Sequence, residues 1–366
     1  GGNLNGYFNL MGDELWGEGD DNADWDYYAA RATHTAMPML GQYMTLHFPF
    51  FDEDCVDENG GQNKGLNHYF TGKNIAKQSL IEWDNVMLWE RLLMGLASKE
   101  EVARANATWK SPYSDKNEVF SHTGDLTDGY ASDYEDYYRI HGLAFGVPTG
   151  YMYGSWDHSG YNFNTMEAIL VSMINDSGSH WGPGHEIGHQ HQALLTVNGL
   201  TEVTNNLFAN AQIFRTGKTT TRGNGVSVCR NDFSNRTPFP LRGADIIAKS
   251  RMFFQLYLYF HAAGKDTTFY PRVFEALRKN PLDKGPKDRN WTSLTQAKDD
   301  QLRFAEVCCE VAQMDLSEFF EAWGMFEPMT DAGVGDYENF IVNLTEEEAE
   351  ASRARMQRYA KKGGHL

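Results

Sequence analysis

Apolar residues recur every three to four positions across Ser79–Leu96, where Leu80, Trp83, Val86, Met87, Leu93 and Met94 form one stripe. That spacing predicts an amphipathic helix packed on a core. Gly95 ends it, and Ser98-Lys99-Glu100-Glu101 has the form of a capped start for the next helix. The small residues of Ala29–Met44 predict an earlier helix, and His47–Phe51 a strand or buried turn. Asp52–Gly65 is acidic and rich in Gly and Asn, a surface loop. Between 140 and 156 the period shortens. Ile140, Leu143, Phe145, Val147, Tyr151, Tyr153 and Trp156, punctuated by Gly and Pro, read as one or two strands. Thr165–Asn175 follows, apolar through Met166, Ile169, Leu170 and Met173.

Beyond residue 180 the helical period dominates. Trp181-Gly182-Pro183-Gly184 makes a leading turn into a helix expected from Pro183 or Gly184 to about Val197, closing at Asn198-Gly199. Further helices are predicted over Glu202–Ala211, Ala244–Ala263, Phe269–Lys279, Leu302–Val311 and Leu316–Trp323. The last, Thr345–Lys361, is charged and opens on a capping box of Thr345 and Glu348. No repeat or linker divides the chain. The pattern predicts an α+β fold with a mixed-sheet lobe over residues 1–182 and a mainly helical lobe over 183–345. A charged terminal helix over 346–366 completes a single domain of 1–366.

The net charge of −18 lacks the clustered Lys and Arg that a phosphate-binding surface needs, which excludes nucleic acid as a partner. No run of about 18 apolar residues exists, so no membrane span is expected. The first residues lack the features of a signal peptide, which fits a cytosolic protein or a mature or excised piece. Two segments could be more than surface. Gly17–Asp24 has the acidic look of a calcium loop, but Trp25 replaces the turn glycine and Arg31 the closing glutamate, so a solvated loop is the plainer reading. Thr216–Arg242 gathers Lys218, Arg222, Arg230, Arg236 and Arg242, either a substrate-lining patch or a solvated insertion. The tyrosines of Gly124–Tyr138 could stack sugars or sit on a partly exposed helix. Cys55, Cys229, Cys308 and Cys309 show no CxxC spacing, and a Cys55–Cys229 bridge is one pairing open to them.

The chemistry concentrates at His185-Glu186-Ile187-Gly188-His189. On a helix, residues four apart lie about 40° apart in azimuth and about 6 Å along the axis, so both imidazoles can hold one Zn²⁺. Glu186 sits beside them as a general base. A catalytic zinc takes three protein ligands and leaves one position open. Glu202, in the helix after the Asn198-Gly199 turn, is the candidate third ligand, with a distant Asp or Glu as the alternative. His191 points away from His189 and cannot share the site. Asn206, one turn after Glu202, could accept the second N–H of a ligating imidazole or be a packing amide. The remaining oxyanion donor, a Tyr, His or Arg, is not specified by any motif. Val147–Tyr153 is the candidate edge strand for pairing with an extended peptide.

Trp181–Gln192 followed by Thr201-Glu202-Val203-Thr204-Asn205-Asn206-Leu207-Phe208 resembles the enhancin-like, M-sixty-like zinc metallopeptidases. So do Leu80–Leu96 with Asp84 and Gly95, Phe254-Gln255-Leu256, and Asp315–Gly324. The resemblance implies a glutamate-zincin fold, one catalytic zinc on His185, His189 and Glu202, and Glu186 as base. It also implies a bacterial O-glycopeptidase, monomeric and extracellular, periplasmic or surface-attached. Such an enzyme cuts mucin-type glycoproteins beside Ser or Thr carrying GalNAc. Substrate contacts then fall to Trp181, Asn205, Arg242 and Asp245 as candidates. Two readings compete: a glutamate zincin without glycan dependence, such as an aminopeptidase, and an inactive glycan-binding module. The chain lacks the Gly-x-Met-Glu-Asn strand of the former, and its intact motif argues against the latter.

Overall fold

A computed structural model describes residues 8–9, 25, 29–30, 32–33, 35–71, 75–108, 142–155, 157–175, 180–192, 195, 197, 199–217, 220, 222, 246–280, 282, 298–334 and 340–360. The architecture is α+β. The chain divides into two compact units, Gly1–Glu90 with Tyr137–Gln190, and Arg91–Asp136 with His191–Leu366.

The first unit is built on a six-stranded mixed sheet. Its strands are β1 (Phe8–Asn9), β2 (Ala36–Leu40), β3 (Met44–Pro49), β4 (Gly142–Val147), β5 (Met152–Gly154) and β6 (Ser159–Asn162), in the order β1-β2-β3-β4-β6-β5. β2 pairs antiparallel with β3 and β5 with β6, while the other neighbours are parallel. One face carries Met37, Met39, Met44, Leu46, Phe48 and Tyr161, all fully buried. Helix α1 (Ile75–Leu93) supplies Leu80, Trp83, Val86 and Met87 to the core, as the stripe predicted. Trp83 meets Tyr161 edge-on at 5.2 Å and donates its indole N–H to the Ile169 carbonyl at 3.1 Å. A π-helical turn over Glu167–Ser172 buries Ile169 and Leu170.

The helix expected over Ala29–Met44 is replaced by strands from Ala36 onward. Pro38 lacks the N–H that a helix interior needs, and Met37 and Met39 alternate inward with a period of two. A carboxylate fixes the turn between β2 and β3. Asp84 on α1 accepts from the backbone N–H of Gln42 at 2.7 Å, of Tyr43 at 2.8 Å and of Met44 at 3.0 Å. Gly41 must be glycine there, because a Cβ would lie 2.4 Å from the Asp84 carboxylate. The sheet edge also differs from expectation. Val147 ends an interior strand, paired with Asn162, while Met152 and Tyr153 of the expected stretch belong to β5, which lies at one edge of the sheet.

The second unit is helical. After α1 ends at Gly95 (φ 71°), Ser98 caps α2 (Lys99–Thr108). Its hydroxyl accepts from the Glu101 N–H, and the Glu101 carboxylate accepts from the Ser98 N–H at 2.6 Å. Next come α4 (Thr201–Thr204) and α5 (Asn206–Thr216), which follow the motif helix α3 (Trp181–His191). The long helix predicted over Ala244–Ala263 is described from Ile246 as α6 (Ile246–Lys249), α7 (Arg251–Tyr257) and a π-helical turn, Leu258–Ala262. Helices α8 (Phe269–Lys279), α9 (Lys298–Ala312) and α10 (Ser317–Ala322) follow. Aromatic pairs fill this core, among them Phe260–Phe269 stacked at 3.9 Å and Phe253–Phe304 at 5.1 Å. Gln255 accepts from the Trp323 indole at 3.0 Å, which joins two segments that carried the family resemblance.

A hairpin of β7 (Met329–Val334) and β8 (Phe340–Leu344) was not foreseen. The capping box of α11 (Glu346–Met356) is formed by Thr345 and Glu348 as the sequence indicated. Lys298 holds the Glu348 carboxylate at well below its ordinary pKa, near 2. Cys55, Cys308 and Cys309 are free buried thiols, and Cys229 lies outside the described residues. Desolvation pushes Cys55 and Cys309 up to about 12. Among the described residues no helix is long and apolar enough to cross a membrane. The acidic loop at Gly17–Asp24, the tyrosine-rich segment Gly124–Tyr138 and nearly all of Thr216–Arg242 lie outside the described residues.

Candidate metal centre on the motif helix

Helix α3 starts two residues earlier than its Gly and Pro suggested and ends at His191. The turn before it is pinned by His180, whose carbonyl accepts from the Gly184 N–H at 2.9 Å and whose imidazole lies 2.7 Å from the Glu82 carboxylate. A helix can lie this close to the sheet because two glycines remove the side chains in between. A Cβ on Gly154 of β5 would stand 2.5 Å from the Glu186 carbonyl and 2.7 Å from His189 Cβ. A Cβ on Gly182 would stand 2.9 Å from Met152 Sδ.

His185 and His189 are turned to one side, with ring centroids 4.9 Å apart at 85°. Trp181 stacks on His185 at 4.5 Å and 23°, which fixes the first imidazole from below. Glu186 is 6 % exposed, and its Oε2 lies 4.0 Å from His189 Nε2. Half-buried Glu202 stands in the first turn of α4. His185, His189 and Glu202 each offer one ligand atom, and these atoms all lie within 4.8 Å of one another. Two imidazole nitrogens and one carboxylate oxygen are the donor set of a catalytic zinc with an open fourth position. The donors present therefore fit Zn²⁺ in kind and number.

The surrounding residues hold this arrangement. Thr204 donates its hydroxyl to Gln192 Oε1 at 2.6 Å, with both side chains buried. Asn206 is fully buried and donates its amide to the Glu202 carbonyl at 2.6 Å, tying the start of α5 to α4. His191 is absent from the metal group, as its azimuth required. It lies against Phe208, and burial, with the nearby Arg91 charge, lowers its pKa to about 3, so it stays neutral. On the sheet side, the Tyr161 hydroxyl is pushed well above 10 by burial, with the charges of Glu186 and Glu90 adding to it. Glu90 is itself completely buried, which raises its carboxyl well above the ordinary range.

Of the substrate-contact candidates, Trp181 is 8 % exposed and faces His185, and Asn205 has no exposed surface. As they stand, neither offers a broad face to a ligand. Arg242 and Asp245 lie outside the described residues. The His180–Glu82 pair, the Thr204–Gln192 bond and the glycine approach of Gly154 had no sequence motif. Each needs two segments distant in the chain, and only strand alternation around Gly154 gave any signal.

Residues 144–324 match the family described as Peptidase M60, enhancin and enhancin-like. None of the curated proteins matches the chain. Among solved structures, the chain is similar to a metallopeptidase from Bacteroides thetaiotaomicron, with 22% identity and a TM-score of 0.69 over 99% of this chain and 52% of that one. It is similar to a metallopeptidase in complex with Tn antigen, with 23% identity and a TM-score of 0.70 over 99% and 57%. The M60 catalytic domain from Clostridium perfringens ZmpC, in complex with the sialyl T antigen, is similar at 15% identity and a TM-score of 0.51 over 98% and 56%. At these identities the likeness is one of fold, and the chain spans about half the length of the solved chains it matches. The span 144–324 that matches the Peptidase M60, enhancin and enhancin-like family holds the motif helix and Glu202, so the likeness covers the candidate metal centre itself.

Proposed function

We propose that the chain is a zinc endopeptidase of glutamate-zincin type that hydrolyses O-glycosylated, mucin-like proteins beside a glycan-bearing Ser or Thr. The observation that carries this reading is the convergence of His185, His189 and Glu202 within 4.8 Å, with Glu186 on the intervening turn. The glycan part is supported by similarity to structures holding the Tn and sialyl T antigens. Such a substrate belongs outside the cytoplasm, so the enzyme works extracellularly, in a periplasm or on a cell surface.

When bound, Zn²⁺ supplies a Lewis acid that brings the pKa of a water toward 7 and polarises a carbonyl. Each part of the chain then has a distinct task. His185, His189 and Glu202 hold the ion, and Trp181 keeps the first imidazole from rotating. Asn206 steadies the turn that bears Glu202. Glu186 takes the proton of the attacking water and delivers it to the departing amine nitrogen. Its 6 % exposure strengthens its interaction with that proton, since little water competes. The free edge of β5 runs along α3 and pairs with the extended peptide, supplying main-chain hydrogen bonds.

The test is digestion of one peptide made with and without a single GalNAc on Ser or Thr, read by mass spectrometry in the presence of zinc. Cutting next to the glycosylated residue alone is expected. Equal cutting of both peptides would leave a zinc peptidase without glycan dependence.

A further inference from the structure

Three side chains next to the sheet edge form a hydrogen-bonded chain outside the metal centre. His158 Nδ1 lies 2.6 Å from Asp157 Oδ1, and His158 Nε2 lies 3.2 Å from the Tyr153 hydroxyl. With the Nδ1 proton donated to the carboxylate, Nε2 accepts from the phenol. The tyrosine is fixed in a second way by the sheet. Tyr153 pairs across the ladder with Gly160, and its ring occupies the place of the missing side chain, with Cε1 2.1 Å from where a Cβ would stand. The ring is also edge-on to His158 at 5.6 Å, and Phe145 backs the same imidazole at 5.5 Å.

These constraints hold a residue that is not buried. Tyr153 is 40% exposed and its neighbour Tyr151 is 61% exposed. Alternation along the strand aims Met152 and Gly154 at the motif helix and Tyr151 and Tyr153 at the opposite face. A mobile surface tyrosine needs neither a glycine notch nor a histidine and a carboxylate behind it. A flat ring with its hydroxyl held in one direction is a recognition surface.

We propose that Tyr153, oriented by His158 and Asp157, binds a sugar carried by the substrate residue whose side chain shares its face of the edge. The inference rests on the reading that a peptide pairs with β5. Side chains on an added strand alternate with the same period, so every second substrate residue projects over this face. The chemistry selects a sugar over an apolar side chain. The ring covers the C–H face of a pyranose. With both protons of the chain donated inside it, the phenol oxygen and the Asp157 carboxylate present acceptors for sugar hydroxyls that an apolar group would leave unmet. Tyr153 and Tyr151 contact the ligand, while His158 and Asp157 are positioning residues.

The test measures binding by calorimetry in a Glu186→Ala background, which prevents turnover. Two ligands are used, one peptide with and one without GalNAc on Ser or Thr. The ratio of their affinities isolates the sugar's share. Tyr153→Ala is expected to bring that ratio down by about tenfold or more, toward one, with zinc content retained. His158→Ala should lower the ratio in part, and His158→Gln, which can still accept from the phenol, should restore most of it. A ratio unchanged in Tyr153→Ala, a ratio of one before mutation, or an equal loss for both peptides overturns the proposal. Glycopeptide discrimination that depends on Tyr153 in a protein that cleaves nothing would keep this inference and reject the peptidase reading.

Discussion

Two buried histidine environments show how the same side chain is committed to different work. On α3, His185 and His189 face one another at 4.9 Å with Glu186 beside them, and their donor atoms converge with that of Glu202. In the helical core, His261 is sandwiched between Tyr257 at 5.2 Å and Tyr270 at 5.8 Å. Its Nε2 accepts the Tyr270 backbone N–H at 3.1 Å, and burial lowers its pKa to about 3. The first pair brings its donor atoms within 4.8 Å of that of Glu202. The second imidazole has its lone pair used by the fold. Burial does not separate the two environments, since His185 is itself 7 % exposed; the neighbours of each imidazole do.

The strongest break of this contrast is chemical. Glu186→Ala is expected to lower kcat by about 10²–10⁴-fold while leaving the Tm and zinc content in place, checked by a peptide-cleavage assay beside elemental analysis. Glu202→Ala should instead lose zinc, and full metal content in that variant would assign the third ligand elsewhere. Gly154→Ala tests whether closeness of strand and helix matters. Its methyl group cannot fit against the Glu186 carbonyl and His189 Cβ, so β5 must move away. Such a shift should cost on the order of 10²-fold in kcat/KM with the fold retained, and unchanged kinetics would separate β5 from the substrate.

The smallest effect concerns His261 and acid. Its folded pKa is about 3, against 6.5 for an accessible imidazole. Between those values the unfolded chain binds a proton that the native one refuses. The stability is therefore complete above about pH 6.5 and falls as pH drops toward 3. The slope from this residue approaches about 1.4 kcal/mol per pH unit in the middle of that window. Denaturant unfolding at pH 6.5, 5 and 4 should show it, and His261→Gln should flatten the loss.

The candidate metal site was legible in the chain because its rules are local. Residues four apart on a helix share a face whatever surrounds them, so His185, Glu186 and His189 needed only the helix, and Glu202 offered a third candidate donor in the next helix. The α1 stripe and the Thr345–Glu348 cap are legible for the same reason, each closing within a few residues. The region Ala29–Met44 misled because small residues suit a helix, while Pro38 and the strand partners that decide the matter lie in pairing at a distance. The edge position of β5, the Asp84 cradle, the Gly154 approach and the Asp157–His158–Tyr153 chain had to wait for tertiary structure. Strand order and cross-strand contacts join residues that carry no mutual spacing, and only the folded sheet brings their atoms within bonding range.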